Sequence, residues 1–498
     1  MSENLRLERI RVNKLFNRFN YDIDLNNGFD VGILIAPNGC GKTTIFNLIE
    51  FIFSPSLQGY RDIVNVPFDF CECTLSNGNV VKLTRTTSTY EEPTQKKDPK
   101  AMLKREISQN ENFTMNKILG NRPEENVQLD LSADVSGHPT KPIHITSIFS
   151  QSITCLISED PSIINQDLGF LSDYYEPPRE LHRNLIRFMI IIKNALQEWN
   201  SNLNINYIRA DRCYRSRGSI NYFGEHHPLS DIRSSILGLY KKTTKKYYDT
   251  LRKMKDDLPQ MYLTMEEKDA ISFPTFQERW DKYLSDIKKY CEIGILPQQN
   301  KQNILKDEEA FNKKKAFFKV DEEAFNKKKA FLTVYLEAFA RKETLEPLEE
   351  FYSRLKLFAD ILNYRNRVTR KVVKYDFDDT LNGPGKGIVF EVDGKELPLE
   401  CLSSGEKNDL IMFYHLIFNS YVPEKKANNP EKKIDLVLVD EPEISLHISW
   451  QRKYLDHLLE ICKINKLQAF VATHSPNIIN GHIEMYVKKG GTNETTRN

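Results

Sequence analysis

Val31-Gly32-Ile33-Leu34-Ile35-Ala36-Pro37-Asn38-Gly39-Cys40-Gly41-Lys42-Thr43-Thr44 joins three local signals in one short run. The apolar residues 31–35 have the unbroken pattern of a strand buried on both faces. A glycine-rich turn follows, and behind it Ile45, Phe46, Leu48, Ile49, Phe51 and Ile52 repeat with helical period. Buried strand, Gly-rich turn and a helix opening on Lys-Thr form a cradle for a nucleoside triphosphate. Backbone N–H groups of Asn38, Gly39, Cys40, Gly41, Lys42, Thr43 and Thr44 would hold the phosphates, and the Lys42 ammonium would reach the β- and γ-phosphates. The Thr43 hydroxyl would ligate Mg²⁺. Ala36 stands where the pattern G-x-x-x-x-G-K-[ST] begins with Gly. That position tolerates a small side chain better than Gly39 or Gly41, which must let phosphate approach closely.

Three more segments lie far downstream. Leu402-Ser403-Ser404-Gly405-Glu406-Lys407 opens a helix whose apolar face is Leu410, Ile411, Phe413, Tyr414, Leu416 and Ile417. Taken alone it reads equally as a capping box, Ser403 with Glu406 three residues on. Residues 434–439 form a buried strand ending in Asp440-Glu441-Pro442-Glu443. Residues 467–472 form another, ending in Thr473-His474-Ser475-Pro476. An acidic pair at a strand end is common and a lone histidine is usually structural, but all four segments in this order and at these distances are unlikely to arise by accident.

In this the chain resembles the ABC-type ATPases of the SMC, RecF and OLD group over residues 5–55 and 397–480. Within that group, Asp440 to His447, Trp450-Gln451 and Ala472 to Pro476 look like the ATPase subunits of bacterial anti-phage systems. The Septu subunit PtuA, also found in retron operons, and the PARIS subunit AriA are examples. The resemblance makes residues 36–44 Walker A, Ser403, Ser404, Gly405 and Glu406 the signature, Asp440-Glu441 Walker B, and His474 the switch histidine. It implies ATP and Mg²⁺, with Asp440 holding the metal through water, Glu441 polarising the attacking water and His474 contacting the γ-phosphate. The signature would meet ATP on an opposite subunit, making a homo-oligomer of head-to-tail dimers, in its largest form a hexamer. Ser404 replaces the first Gly of LSGGQ and Glu406 its Gln, from which slow turnover is expected. The fold implied is α/β, an ABC-type ATPase head with an N-terminal antiparallel β layer and a helical insertion acting as lid or short arm. The corresponding domains are 1–150, 151–375 and 376–498.

Composition agrees with a water-soluble chain: 28% charged and 40% apolar residues, net charge +1, no apolar run long enough to cross a bilayer. Met1-Ser2-Glu3-Asn4 runs straight into a strand without a secretory leader, and the eight cysteines are scattered, so a reduced cytoplasmic setting is expected. A near-neutral charge argues against a protein coated for nucleic acid.

Short strands are predicted at 5–11, 21–25, 31–36, 68–75 and 79–85, then a polar, loop-rich insertion from Thr86 to Pro142. Pro142 to Phe149 reads as a strand that would place Gln151 at the Q-loop position, a metal and γ-phosphate sensor. Ile205 to Ala210 reads as another strand, ending in Asp211-Arg212, either nucleotide-proximal or a surface ion pair. Residues 180–364 read as mostly helical. They contain a tandem repeat, Asp307–Phe317 and Asp321–Phe331, whose phenylalanine stripe suits a helix packed along one side better than a two-stranded coiled coil. The basic run 241–255 is a phosphate-contacting patch or a solvated helix face, and His226-His227 lacks the companions of a nuclease site.

Two functions follow. One is a sensor and regulatory ATPase that controls a separately encoded nuclease in anti-phage defence, triggered by DNA or a phage protein. The other is a RecF-like repair ATPase that binds DNA directly. A transporter ATPase suits neither the helical insertion nor the Glu441–His447 segment, and the tail after His474 is too short for the Toprim domain of the OLD nucleases.

Overall fold

The computed structural model describes residues 5–89, 125–145, 190–199, 201–210, 228–264, 271–296, 329–330, 333–334, 336–337, 340–377, 385–418, 435–444, 446 and 448–486. Its contacts divide the chain into two compact units, Met1–Ala210 with Lys432–Asn498, and Asp211–Glu431.

The first unit is two sheets with a helix between them. The antiparallel sheet holds β1 (Leu7–Leu15), β2 (Phe19–Asp24), β4 (Phe70–Leu75), β5 (Val80–Thr89), β6 (Glu125–Val135), β7 (His138–Pro139) and β8 (Ile143–His144). Its order is β2-β1-β4-β5-β6-β7, with β8 also on β6. The second sheet is parallel, in the order β3-β14-β13-β9, from β3 (Val31–Ile35), β9 (Ile205–Ile208), β13 (Leu436–Asp440) and β14 (Gln468–Thr473). Helix α1 (Lys42–Phe53) packs on strands of both sheets, and α2 (Leu57–Val64) packs on α1. Leu34, Leu436, Leu438, Phe470 and Ala472 join the core around α1. The alternate residues Ile33, Val437, Val439 and Val471 are just as buried. Both faces are therefore covered, which is why these strands read as continuous apolar runs.

The stretch after Thr86 corrects the expectation of a loop-rich insertion at both its ends. β5 runs on to Thr89 and pairs with β6 along its length. Within β6, Val127, Leu129, Leu131 and Ala133 are buried while Gln128, Asp130 and Ser132 alternate with them. A strand with one wet face is half polar, and that made the segment look like a loop.

The second unit is helical with a small sheet: α3 (Pro228–Thr264), α4 (Phe273–Glu292), α5 (Lys342–Asn366) and α6 (Ser404–Phe418) with β10 (Lys371–Asp376), β11 (Gly387–Val392) and β12 (Lys395–Leu397) in antiparallel order. Helix α5 packs on α3, α6 and β10. Ser272 caps α4 by accepting from the Thr275 N–H. The signature residues open α6, so this stretch belongs to the compact unit that holds the long helices. The repeat falls outside the described residues up to Lys328. On α3, Lys241, Lys245, Lys246, Arg252, Lys253 and Lys255 are exposed alongside Asp249, Asp256 and Asp257, the composition of a solvated face. Among the described residues, no helix is long and apolar enough to cross a membrane.

Candidate active site

The parallel strands end on one side of their sheet, where α/β folds place their ligands. β3 delivers the turn 36–41, β13 delivers Asp440 and Glu441, and β14 delivers His474. Gly39 and Gly41 adopt φ of +79° and +84°, a conformation that side chains disfavour. A Cβ on Gly41 would also lie 2.6 Å from Leu15 Cδ2. Ala36 is not among the positive-φ residues, so the departure from the glycine pattern at that position carries no backbone strain. Gly41 is the N-cap of α1 and no side chain caps the helix, so its first N–H groups point at whatever anion the turn encloses.

Lys42 is only 5% exposed, and its ammonium donates to the carbonyls of Ala36 (2.8 Å) and Pro37 (3.2 Å). Its Nζ lies 4.0 Å from Glu441 Oε1. Thr43 Oγ1 donates to Asp440 Oδ2 at 2.6 Å. Asp440 is 1% exposed, and its other oxygen, Oδ1, is buried without a hydrogen-bond partner. Burial, with the Glu441 charge adding to it, holds the Asp440 carboxyl above the usual range, against the bonds from Thr43 and Tyr207 and the charge of Lys42. A buried carboxylate oxygen with nothing to accept from, beside a hydroxyl and an ammonium, suits a hydrated Mg²⁺ at this point. Glu441 takes a positive φ of 45° and anchors its N–H on the Ala472 carbonyl at 2.8 Å.

His474 is 45% exposed, with Nδ1 3.8 Å from Glu441 Oε1 and 2.8 Å from Glu443 Oε1. The same Glu443 oxygen accepts the His474 backbone N–H at 2.8 Å. Next to it, Ser475 Oγ donates to Gln451 Oε1 (2.7 Å), and Gln451 Nε2 donates to the Leu446 carbonyl (3.1 Å). In the other unit, Ser403 and Glu406 form the reciprocal capping box: Glu406 Oε2 accepts the Ser403 N–H at 2.8 Å, and Ser403 Oγ accepts the Glu406 N–H at 3.3 Å.

A strand-turn-helix phosphate cradle facing an acidic strand end describes a nucleotide hydrolase, and comparison with known families decides which. The AAA ATPase domain family matches residues 13–479. This chain belongs to that family. The protein is thus an ATPase. No curated protein sequence matches it. Among solved structures, it is similar to the Smc head domain with an extended coiled coil bound to the C-terminal domain of ScpA, from Pyrococcus furiosus. That match has 12% identity over 95% of this chain and 91% of the other, with a TM-score of 0.34. A second is the SmcHead bound to the C-winged helix domain of ScpA, with 11% identity, 95% and 90% coverage and a TM-score of 0.33.

In this AAA ATPase, Lys42, Thr43, Asp440, Glu441 and His474 come together, whereas Ser403, Ser404, Gly405 and Glu406 lie in the other compact unit. Gln151, Asp211, Arg212, His226 and His227 lie outside the described residues. Two residues of the site, Tyr207 and Arg209, were not singled out from sequence, and two more, Glu443 and Gln451, entered only within the resemblance. Tyr207 OH donates to Asp440 Oδ2 at 3.4 Å, and burial and the Asp440 charge both push the phenol's pKa up. Arg209 stacks 4.5 Å over the Tyr207 ring while bonding Asn47 (3.0 Å) and Glu50 (2.5 Å) of α1. Glu443 and Gln451 hold the histidine turn. Tyr207 and Arg209 share a strand face at i,i+2, so alternation within 205–210 contained a signal for that pair. Glu443 and Gln451 stand within the segments that carry the family resemblance, which assigned no role to either.

Proposed function

We propose that this ATPase is the sensor and regulatory subunit of a bacterial anti-phage defence system, controlling a separately encoded nuclease through ATP-dependent assembly. The observation that carries the reading is the meeting of Lys42, Thr43, Asp440, Glu441 and His474 past the ends of β3, β13 and β14, with a capped Ser403–Glu406 segment elsewhere in the chain. The turn 36–44 binds the phosphates through backbone N–H groups and Lys42. Thr43 and, through water, Asp440 would hold Mg²⁺, which would supply charge neutralisation to the bound phosphates. Glu441 orients and deprotonates water, and His474 offers a ring nitrogen to the γ-phosphate. Ser403 and Gly405 serve the nucleotide of a second copy, so ATP joins two heads and hydrolysis parts them. The segments 440–447 and 472–476, similar to those of defence ATPases, favour a defence role.

The test measures assembly first. Glu441→Gln should trap ATP and give a stable dimer by light scattering, whereas Lys42→Ala should bind no ATP and stay unpaired. A monomer with ATP in both wild type and Glu441→Gln would refute the paired heads. The nuclease role is tested by incubating the purified chain with plasmid DNA and with tRNA, adding Mg²⁺ or Mn²⁺. Cleavage by the chain alone, lost on a substitution outside the ATP site, would sink the two-component reading.

A further inference from the structure

Glu406 puts a carboxylate where the signature of related ATPases has an amide, on the segment that would face another subunit's γ-phosphate. A carboxylate there should repel the phosphate it must help to hold. The structure shows what offsets it. Lys371, on β10, is 17% exposed, and Glu406 is 6% exposed. Lys371 Nζ donates to both Glu406 oxygens at 2.7 Å. Glu406 Oε2 also accepts the Ser403 N–H at 2.8 Å, and the Glu406 N–H is accepted by Ser403 Oγ at 3.3 Å. A hydroxyl that accepts there still has its own hydrogen to donate to a phosphate oxygen. Burial raises the Glu406 carboxyl pKa, but the bonds from Lys371 and Ser403 outweigh it and hold the carboxyl below the usual range. The carboxylate is therefore ionised, paired and tied to the backbone of Ser403.

We propose that Lys371 is a positioning residue of the signature: it neutralises Glu406 and fixes the Ser403 turn, so that Ser403 can meet ATP carried by a second copy of this chain. The inference rests on the paired-head reading above. It accounts for a Glu at this position without loss of the γ-phosphate contact, because a Lys–Glu pair presents no more net charge than a glutamine.

The test uses the full chain in the Glu441→Gln background, where ATP-driven pairing is measured by light scattering over a protein dilution series. Adding Lys371→Met should weaken pairing by about tenfold or more, the effect of an unpaired like charge at an interface. A fluorescent ATP analogue should bind the unpaired chain with unchanged affinity, because the substitution leaves Lys42 and the turn 36–44 intact. Lys371→Arg should restore pairing. So should the double substitution Glu406→Gln with Lys371→Met, which leaves no charge to neutralise. If Lys371→Met fails to fold, Lys371→Gln, which keeps a donor without the charge, replaces it with the same expectations. Undiminished pairing in Lys371→Met overturns the proposal. Weak pairing that persists in the double variant also overturns it, by making Lys371 a packing residue. A Glu441→Gln chain that stays monomeric with ATP overturns the paired-head reading, and the role of Lys371 with it.

Discussion

Glu443 Oε1 lies 2.8 Å from His474 Nδ1 and also accepts the His474 backbone N–H at 2.8 Å, so this one carboxylate holds both the ring and the turn that carries it. Removing the carboxylate frees the ring without touching the nucleotide. Glu443→Ala should therefore lower kcat by roughly tenfold or more, as loss of a histidine-orienting carboxylate does elsewhere, with KM for ATP little changed. Steady-state kinetics check this, and a rise in KM at constant kcat would contradict it. Asp440 gives a second expectation at this scale. Its carboxyl pKa is raised in the folded protein, by burial first and by the Glu441 charge, so the folded state holds that proton more tightly than the unfolded chain does. Stability is then lost as pH rises from the ordinary aspartate range through the raised folded value. Asp440→Asn lacks the charge but keeps an acceptor for Thr43. Its unfolding free energy relative to wild type should climb with pH, to an advantage of about 1 kcal/mol near pH 8, while ATP hydrolysis is lost. Melting of the ligand-free proteins at about pH 5 and pH 8 reads the difference.

Between elements, one side chain bonds the backbone of one sheet of the first unit from the other. Gln468, at the start of β14, accepts the Leu7 N–H at 3.0 Å and donates to the Leu7 carbonyl at 2.9 Å, both in buried surroundings. The amide thus stands in for one residue of a strand beside the end of β1. Gln468→Leu keeps the bulk but leaves a buried N–H and C=O unpaired, and should cost roughly 2–4 kcal/mol. Gln468→Glu should also destabilise, because a carboxylate still accepts the N–H but opposes the carbonyl. Urea unfolding with an unchanged m-value would confirm a loss of native stability in both. In the second unit, Arg365 and Asp409 play a comparable part between α5 and α6. They form a 3.0 Å ion pair buried on both sides, with the guanidinium 4.6 Å over the Phe413 ring. That pairing holds the helix the signature opens.

For the whole molecule, the paired-head proposal predicts a long-lived ATP state. The proposed signature segment carries Ser404 and Glu406 where the LSGGQ pattern has Gly and Gln, and a regulatory switch gains from slow release. Turnover of the purified chain should be about one per minute or less, against an enzyme median of about 10 per second. A phosphate-release assay checks this, and a rate above about one per second without any partner would contradict it.

The phosphate loop, the buried strands at 31–35 and 436–440 and the helix behind Lys42 were legible in the sequence, because each is a local signal: periodicity, glycine at a turn, an acidic strand end. So were the capping box at Ser403 and Glu406 and the helical character of the second unit. The β5–β6 hairpin was legible only in part, since a strand with a solvent face borrows the composition of a loop. The pairings that organise the site were not legible at all. Thr43 meets Asp440 across 397 residues and Leu7 meets Gln468 across 461. Tyr207 reaches Asp440 only because β9 lies beside β13 in the sheet. Lys371 reaches Glu406 only because β10 and the start of α6 are brought together by packing on α5. The sequence by itself determined the strand, turn and helix of the phosphate loop and that they bind a nucleotide, since backbone geometry and phosphate chemistry need only neighbours in the chain. Which oxygen of Asp440 is left free, which carboxylate faces His474 and which ammonium quiets Glu406 were decided by tertiary structure. Those depend on strand order and burial, which bring distant residues within hydrogen-bond reach.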